Sequence, residues 1–190
     1  MPFYSLHTSG IKDSAKRSIK YPHMSFADTI LPHLDAAYNL ACWLTKSQTD
    51  AGDVVQESMV RAMKYFGGYR GGDSRAWILA IVRNTSYSWL QRQRSSIVTF
   101  GLDEDLDFHR VDHSTPETLA LSREFSQRVQ AALYSLPLEF REVIVLRELE
   151  GLAYKEISQV VGVPIGTVMS RLARGRERLQ ESLASLRNPI

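Results

Sequence analysis

The stretch from Leu152 to Leu179 constrains the fold of this chain more than any other. Its sequence, LAYKEISQVVGVPIGTVMSRLARGRERL, predicts a short helix, a tight turn and a longer basic helix. Gly162 supplies a permissive backbone position, Val163 is pushed toward extended geometry by the proline after it, and Pro164 fits the first turn of the second helix. The pattern therefore predicts two packed helices joined at a glycine turn.

The second of these helices sorts its side chains into two strips when residues 164–180 are wound at about 100° per residue. The strip expected to face the protein contains Val168, Leu172, Gly175 and Leu179. The other strip lies roughly a quarter-turn away and contains Thr167, Arg171, Arg174 and Arg178, with Ser170 at its edge. An apolar anchor beside a row of guanidinium groups suits a helix that lies in the major groove of DNA. The whole pattern favours a helix-turn-helix reader, although a basic strip taken alone is typical of a solvated surface.

Cysteine content and hydropathy exclude several classes of protein. The single cysteine, Cys42, excludes an internal disulfide framework and a multi-cysteine zinc site, and its apolar neighbours indicate a buried thiol. No apolar run approaches the roughly 20 residues that span a bilayer, so no membrane insertion is expected. The N-terminus lacks the continuous apolar segment of a signal peptide, and a cytoplasmic location is therefore the expectation.

Charge is distributed unevenly along the 190 residues, although the net charge is only +2. Between Arg61 and Arg94 there are seven basic residues against one acid, Asp73. From Ser95 to Leu119 the sign reverses, with six acidic residues against Arg110. These blocks indicate two basic modules joined by an acidic connector.

The order of these blocks predicts four parts. Residues 1–24 form a basic N-terminal arm of unknown role, and residues 25–94 form a helical domain. Residues 95–119 form an acidic flexible linker, and residues 120–187 form a second helical domain that contains the helix-turn-helix. Since no segment alternates with period two for long enough to make a sheet, the fold class is predicted to be all-α, in two small domains.

The second helix of the N-terminal domain is expected to be amphipathic. Capped by Thr49 or Asp50, it carries an apolar strip of Val55, Met59, Ala62 and Phe66. Its opposite side presents an acidic stripe formed by Asp50, Asp53 and Glu57.

A glycine-rich loop follows, in which Gly67-Gly68 and Gly71-Gly72 bracket Tyr69 and Arg70. Ser74 can cap the next helix, whose inner face is expected to carry Ile78, Ile81, Val82, Thr85 and Trp89. The far side of that helix gathers Arg83, Asn84, Tyr87, Gln91 and Arg94. Guanidinium, amide and aromatic groups together suit phosphates and unstacked bases, although an ordinary surface with a partly buried Trp77 fits the same residues.

The segment from Phe140 to Leu149, FREVIVLREL, predicts a helix of another kind. Its apolar residues nearly encircle the helix axis, which implies burial between neighbouring elements.

Three stretches of the sequence, taken together, resemble the extracytoplasmic-function (ECF) sigma factors, the compact promoter-recognition subunits of bacterial RNA polymerase. They are DAGDVVQESMVRAMKYF (50–66), RAWILAIVRNTSYSWLQRQR (75–94) and LPLEFREVIVLRELEGLAYKEISQVVGVPIGTVMSRLARGRERL (136–179). The resemblance covers approximately residues 25–187, and the third stretch carries the most specific motif.

The resemblance implies a role for each surface. The residues implied to dock on the clamp helices of core RNA polymerase are Asp50, Asp53, Gln56 and Glu57. Those implied to open promoter DNA and hold a single strand at the −10 element are Tyr69, Arg70, Arg75, Trp77, Arg83, Asn84 and Tyr87. Those implied to enter the major groove at the −35 element are Thr167, Ser170, Arg171, Arg174 and Arg178. The family also implies a cognate anti-sigma factor, and a linker that threads near the polymerase active site.

Two other classes fit the sequence less well. A stand-alone helix-turn-helix regulator would need a ligand-sensing or phosphoacceptor domain in residues 25–94, where the helical pattern argues against βα alternation. An enzyme would need a nucleophile–base pair or clustered metal carboxylates, and the five histidines show no ligand spacing. We therefore expect no enzymatic activity, no catalytic residues, no metal or cofactor and no small-molecule substrate.

Overall fold

The computed structural model describes residues 25–97 and 116–187, and both segments are built from α-helices joined by short turns. The helices are α1 (Phe26–Ile30), α2 (Leu34–Thr45), α3 (Gln48–Tyr65), α4 (Ser74–Ile97), α5 (Pro116–Ser135), α6 (Leu138–Ile144), α7 (Tyr154–Val161) and α8 (Ile165–Arg187). No strand occurs in these two segments, which confirms the predicted all-α fold in two helical domains. The predicted arm at residues 1–24 and most of the acidic linker lie outside the described residues.

Helices α1 to α4 form the N-terminal domain, in which α2, α3 and α4 pack on one another. The core is made of side chains spaced three or four residues apart on each helix, the spacing that places them on one face. Its largest fully buried members are Ile30, Leu40, Leu44, Val54, Ile78, Leu79 and Val82. Cys42 is also fully buried, as its apolar neighbours predicted.

The residues that cap α3 and α4 differ from those predicted. The hydroxyl of Ser47, and not a side chain of Thr49 or Asp50, accepts a hydrogen bond from the backbone N–H of Asp50. The carboxylate of Asp73 accepts one from the N–H of Ala76, so Ser74 is the first helical residue rather than the cap. Both helices therefore begin upstream of the predicted position, because Ser47 and Asp73 cap the free N–H groups of the first turn.

Helices α5 to α8 form the C-terminal domain. In the helix-turn-helix, Gly162 ends α7 in the left-handed conformation with φ 73°, where a side chain would be strained. Val168 and Leu172 of α8 are fully buried and Gly175 is buried on the same strip, which agrees with the predicted inner face. The helix predicted between Phe140 and Leu149, with apolar residues all around its axis, is α6, and it continues into a π-helical turn at Val145–Leu149.

Gly175 is the point of closest approach between α8 and α6. A Cβ added there would lie 3.1 Å from Cγ1 of Ile144 and 3.4 Å from Cβ of Phe140. We expect Gly175→Val to lower the free energy of unfolding by about 1–3 kcal/mol, because both neighbours are buried and the added methyls overpack the contact. Urea unfolding followed by circular dichroism measures this change.

Gly166, on the same helix, is the matched control, because a Cβ there would meet no atom within 4 Å. Gly166→Val should leave the unfolding midpoint nearly unchanged. Equal loss of stability in both variants would contradict a packing role for Gly175.

The two domains pack against each other through α4 on α7 and α2 on α6. The contact is polar as well as apolar: the guanidinium of Arg141 in α6 donates to the backbone carbonyl of Trp43 in α2 at 3.1 Å. The N-terminal side of the domain contact is therefore formed by α2 and α4.

Candidate nucleic-acid and polymerase interfaces

The glycine-rich loop between α3 and α4 holds three aromatic rings in one cluster. Gly71 and Gly72 have φ of 84° and 104°, values that only glycine adopts readily. The turn lets the Tyr69 hydroxyl donate to the carbonyl of Gly72 at 2.7 Å. The Tyr69 ring centroid then lies 5.8 Å from that of Phe66 and 5.2 Å from that of Trp77. The loop thus presents aromatic surface beside an exposed Arg70.

An open cavity of about 420 Å³ adjoins this cluster. Its lining is Gly68, Tyr69, Arg70, Gly71, Gly72, Asp73, Ala76, Trp77, Ala80 and Gln159. Nine of these residues come from the loop and α4, whereas Gln159 belongs to α7 of the C-terminal domain. A ring-lined cavity beside an arginine can accept an unstacked base and its phosphate.

Arg83 and Tyr87, one turn apart on α4, point at the C-terminal domain and not into solvent. Nε of Arg83 lies 2.7 Å from Oε2 of Glu142, and the Tyr87 hydroxyl donates to the same oxygen at 2.8 Å. The Arg83 guanidinium also lies 4.2 Å from the Tyr87 ring centroid. Asn84 beside them is exposed and accepts a hydrogen bond from Arg83.

Glu142 of α6 is the hub of this contact. Its side chain is 0% exposed, and it binds Arg171 of α8 at 3.3 Å as well as Arg83. Burial alone would lower the pKa of Arg83, but the hydrogen bond and charge of Glu142 outweigh it and raise that pKa. Burial, and then the charge of Glu142, raises the pKa of Tyr87, so its hydroxyl stays a donor.

A second ion pair crosses the same domain contact. The Arg75 guanidinium at the start of α4 lies 2.6 Å from Oε2 of Glu150, whose side chain is 6% exposed. Of the candidates for the −10 strand, Arg75, Arg83 and Tyr87 are therefore bound to carboxylates of the C-terminal domain.

The candidate −35 residues on α8 do not form one uniform surface. Ser170 and Arg174 are exposed, and Thr167 is half-buried. Arg178 is exposed and lies over the Phe140 ring at 4.9 Å. Arg171 is turned inward to Glu142, with 22% of its side chain exposed. The structure thus leaves Arg174 and Ser170 more open to a ligand than Arg171.

The acidic stripe on α3 is half-buried at Asp50, exposed at Asp53 and paired at Glu57. Asp53 and Gln56 are exposed. Glu57 is half-buried and bound by Arg61 and by Arg92 of α4. Although burial would raise the pKa of Glu57, hydrogen bonds from these two arginines lower it below its ordinary value. Asp53 therefore carries the accessible negative charge of this surface.

Two apolar side chains extend the same face of α3. Val60 is 70% exposed and Met63 is 63% exposed, and they follow Asp53 and Gln56 at helical spacing. The sequence offered a signal for them, since both lie off the apolar strip that packs inward. A carboxylate next to exposed apolar groups is suited to binding another protein.

Sequence reasoning missed three functional neighbours: Glu142, Glu150 and Gln159. For Glu142 a signal existed, because a glutamate on a helix buried on all sides requires a cation partner. Within residues 25–97 and 116–187, no group of three or more histidine, cysteine or acidic side chains could hold a metal ion. No helix in those two segments is long and apolar enough to cross a membrane.

Two family models match the chain in sequence order. Sigma-70 region 2 matches residues 29–96 and sigma-70 region 4 matches residues 126–179. Among curated proteins, the chain is 37% identical to the ECF RNA polymerase sigma factor SigE of Mycolicibacterium smegmatis over 84% of its own length. It spans 62% of the length of that relative. It is also 33% identical to the ECF RNA polymerase sigma-E factor of Haemophilus influenzae, covering 74% of this chain and 78% of that protein.

Two solved structures share the fold. One is the sigma factor RpoE in complex with the anti-sigma factor NepR from Bartonella quintana, with a TM-score of 0.69 and 27% identity over 81% of this chain and 93% of that one. The other is CnrH in complex with the cytosolic domain of CnrY, with a TM-score of 0.58 and 25% identity over 82% of this chain and 84% of that one.

Proposed function

The chain belongs to the extracytoplasmic-function sigma factors, and from that premise we propose that it binds core RNA polymerase and directs it to a specific set of promoters. The observation that carries the proposal is the occurrence of both sigma-70 regions, in order, on two helical domains. The protein would recognise and open promoter DNA, while the polymerase performs the chemistry. No catalytic residue, cofactor or small-molecule substrate is needed for this role.

The exposed part of α3 is proposed to dock on the polymerase clamp helices. Asp53 and Gln56 would make the polar contacts, and Val60 and Met63 would bury apolar surface beside them. Asp50 and Glu57 extend the same acidic stripe, and Glu57 also braces α3 against α4 through Arg92.

The glycine-rich loop and α4 are proposed to hold the −10 single strand. The Tyr69 and Trp77 rings supply stacking surface, and Arg70 and Arg75 supply charge for the backbone phosphates. Arg83, Asn84 and Tyr87 continue the path along α4, which requires Arg83 and Tyr87 to leave Glu142. Helix α8 is proposed to enter the major groove at the −35 element with Thr167, Ser170, Arg171, Arg174 and Arg178 facing the DNA.

Arg174 provides the sharpest test of the −35 proposal. We expect Arg174→Ala to weaken binding to a −35 duplex by about 1–3 kcal/mol if its guanidinium reads a base edge, with polymerase binding intact. Arg171→Ala should also weaken binding, but with a loss of stability, because it removes a partner of the buried Glu142. Fluorescence anisotropy on promoter duplex and urea unfolding separate these effects. Equal duplex affinity of parent and Arg174→Ala would overturn the assignment.

An anti-sigma factor is a further proposed partner, because the structural neighbour RpoE was solved with the anti-sigma factor NepR bound. We propose a cytoplasmic location, where core polymerase and promoter DNA are found.

Run-off transcription tests the proposed function as a whole. Core RNA polymerase is given fragmented DNA from the same genome, with and without the protein. Discrete transcripts that depend on the protein are the expected result and would define its promoters. Sequence-specific DNA binding without transcripts would favour a stand-alone helix-turn-helix regulator instead.

A further inference from the structure

Part of the surface proposed to hold the −10 strand, the side of α4 that carries Arg75, Arg83 and Tyr87, is covered by the C-terminal domain of the same chain. Arg75 binds Glu150, and Arg83 and Tyr87 bind Glu142. Gln159 of α7 forms one wall of the cavity beside the glycine-rich loop. While the two domains stay in this contact, these three donors are occupied by carboxylates and are not free to bind a DNA strand.

The groups that cover this surface resemble the ligand they exclude. Glu142 presents two anionic oxygens to Nε and Nη2 of Arg83, at 2.7 and 3.2 Å, in the forked geometry that a phosphate also offers. Its Oε2 further accepts from the Tyr87 hydroxyl. Glu150 offers a single oxygen to Arg75 in the same way.

We infer that Glu142 and Glu150 act as phosphate surrogates that hold the free protein in a closed, self-masked state. The inference rests on the proposed function, since it assigns Arg75, Arg83 and Tyr87 to the −10 strand. Promoter DNA and the two glutamates then compete for the same three donors, so the closed state lowers the apparent affinity of the free protein for single-stranded DNA.

The contact is built to be released. When the domains separate, Glu142 keeps Arg171, its partner within the C-terminal domain, until α8 binds the −35 element, so opening itself leaves no buried carboxylate unpaired. Glu150 lies at the margin of the contact and is 8% exposed, so separation lets water replace Arg75. On the other domain, DNA phosphates replace the carboxylates at Arg75 and Arg83.

The test compares Glu142→Gln/Glu150→Gln in the full chain with a control of equal charge, Glu148→Gln/Glu181→Gln. Glu148 pairs with Arg176 within the C-terminal domain, and both control residues are exposed. Small-angle scattering reports the radius of gyration, for which a compact chain of this length gives about 16 Å. Anisotropy with a fluorescein-labelled, random-sequence pool of single-stranded DNA reports affinity.

We expect the interface variant to have a larger radius of gyration than the control and about tenfold tighter binding to the DNA pool. Equal values for both variants would overturn the self-masked state. Should circular dichroism show that Glu142→Gln unfolds the protein, Glu150→Gln alone carries the same test. Run-off transcription by the parent chain tests the proposed function independently. Missing transcripts would overturn that function but would leave the closed contact between the domains unaffected.

Discussion

Asp53→Lys is expected to weaken binding to core RNA polymerase by about 3 kcal/mol, roughly a hundredfold, without unfolding the protein. Asp53 is the exposed carboxylate of the acidic stripe. A lysine at this position would repel the polymerase surface that is proposed to bind an acidic side chain. Titration of fluorescently labelled core polymerase with the variant measures the change. Adding Glu57→Lys should abolish assembly, because the lysine would face Arg61 and Arg92 and distort α3 against α4.

The matched control is Glu181→Lys, which makes the same charge change at an exposed position of α8. It should bind core polymerase like the parent. Normal binding by Asp53→Lys, with the fold intact by circular dichroism, would show that the stripe is ordinary solvated surface.

Arg141→Met is expected to lower the free energy of unfolding by about 2–4 kcal/mol. Arg141 is 5% exposed and donates to the backbone carbonyls of Trp43, Tyr134 and Leu136. Among the described residues no carboxylate pairs with Arg141, and burial lowers its pKa. Methionine fills much of the volume but leaves these carbonyls without their donor, which outweighs the relief of an unpaired buried charge. Urea unfolding by circular dichroism measures the loss.

Arg174→Met provides the contrast, because it removes the same charge from an exposed site. It should keep the stability of the parent and lose affinity for −35 duplex, whereas Arg141→Met should lose stability. A fully stable Arg141→Met protein would show that its backbone hydrogen bonds contribute little to the fold.

Helix type and helix face were predictable from sequence because both depend on local spacing. Val168, Leu172 and Gly175 recur at helical intervals, and the structure buries all three. The glycine turn was predictable for the same reason, since Gly162 can adopt the left-handed conformation and Pro164 fixes its own φ. The helix caps were less predictable, because Ser47 and Asp50 lie close together and either can cap in isolation.

The sequence by itself determined the all-α fold, the two domains and the family, because helical periodicity predicts the helices and the order of the motifs identifies the family. Only the tertiary structure decided what the charged side chains touch. Arg83, Tyr87 and Arg171 meet at Glu142 across 59, 55 and 29 residues of chain. A helical wheel shows which face carries a guanidinium, but its partner depends on how one helix is set against another. That setting is the sum of many weak packing contacts spread over the chain, and no local pattern records it.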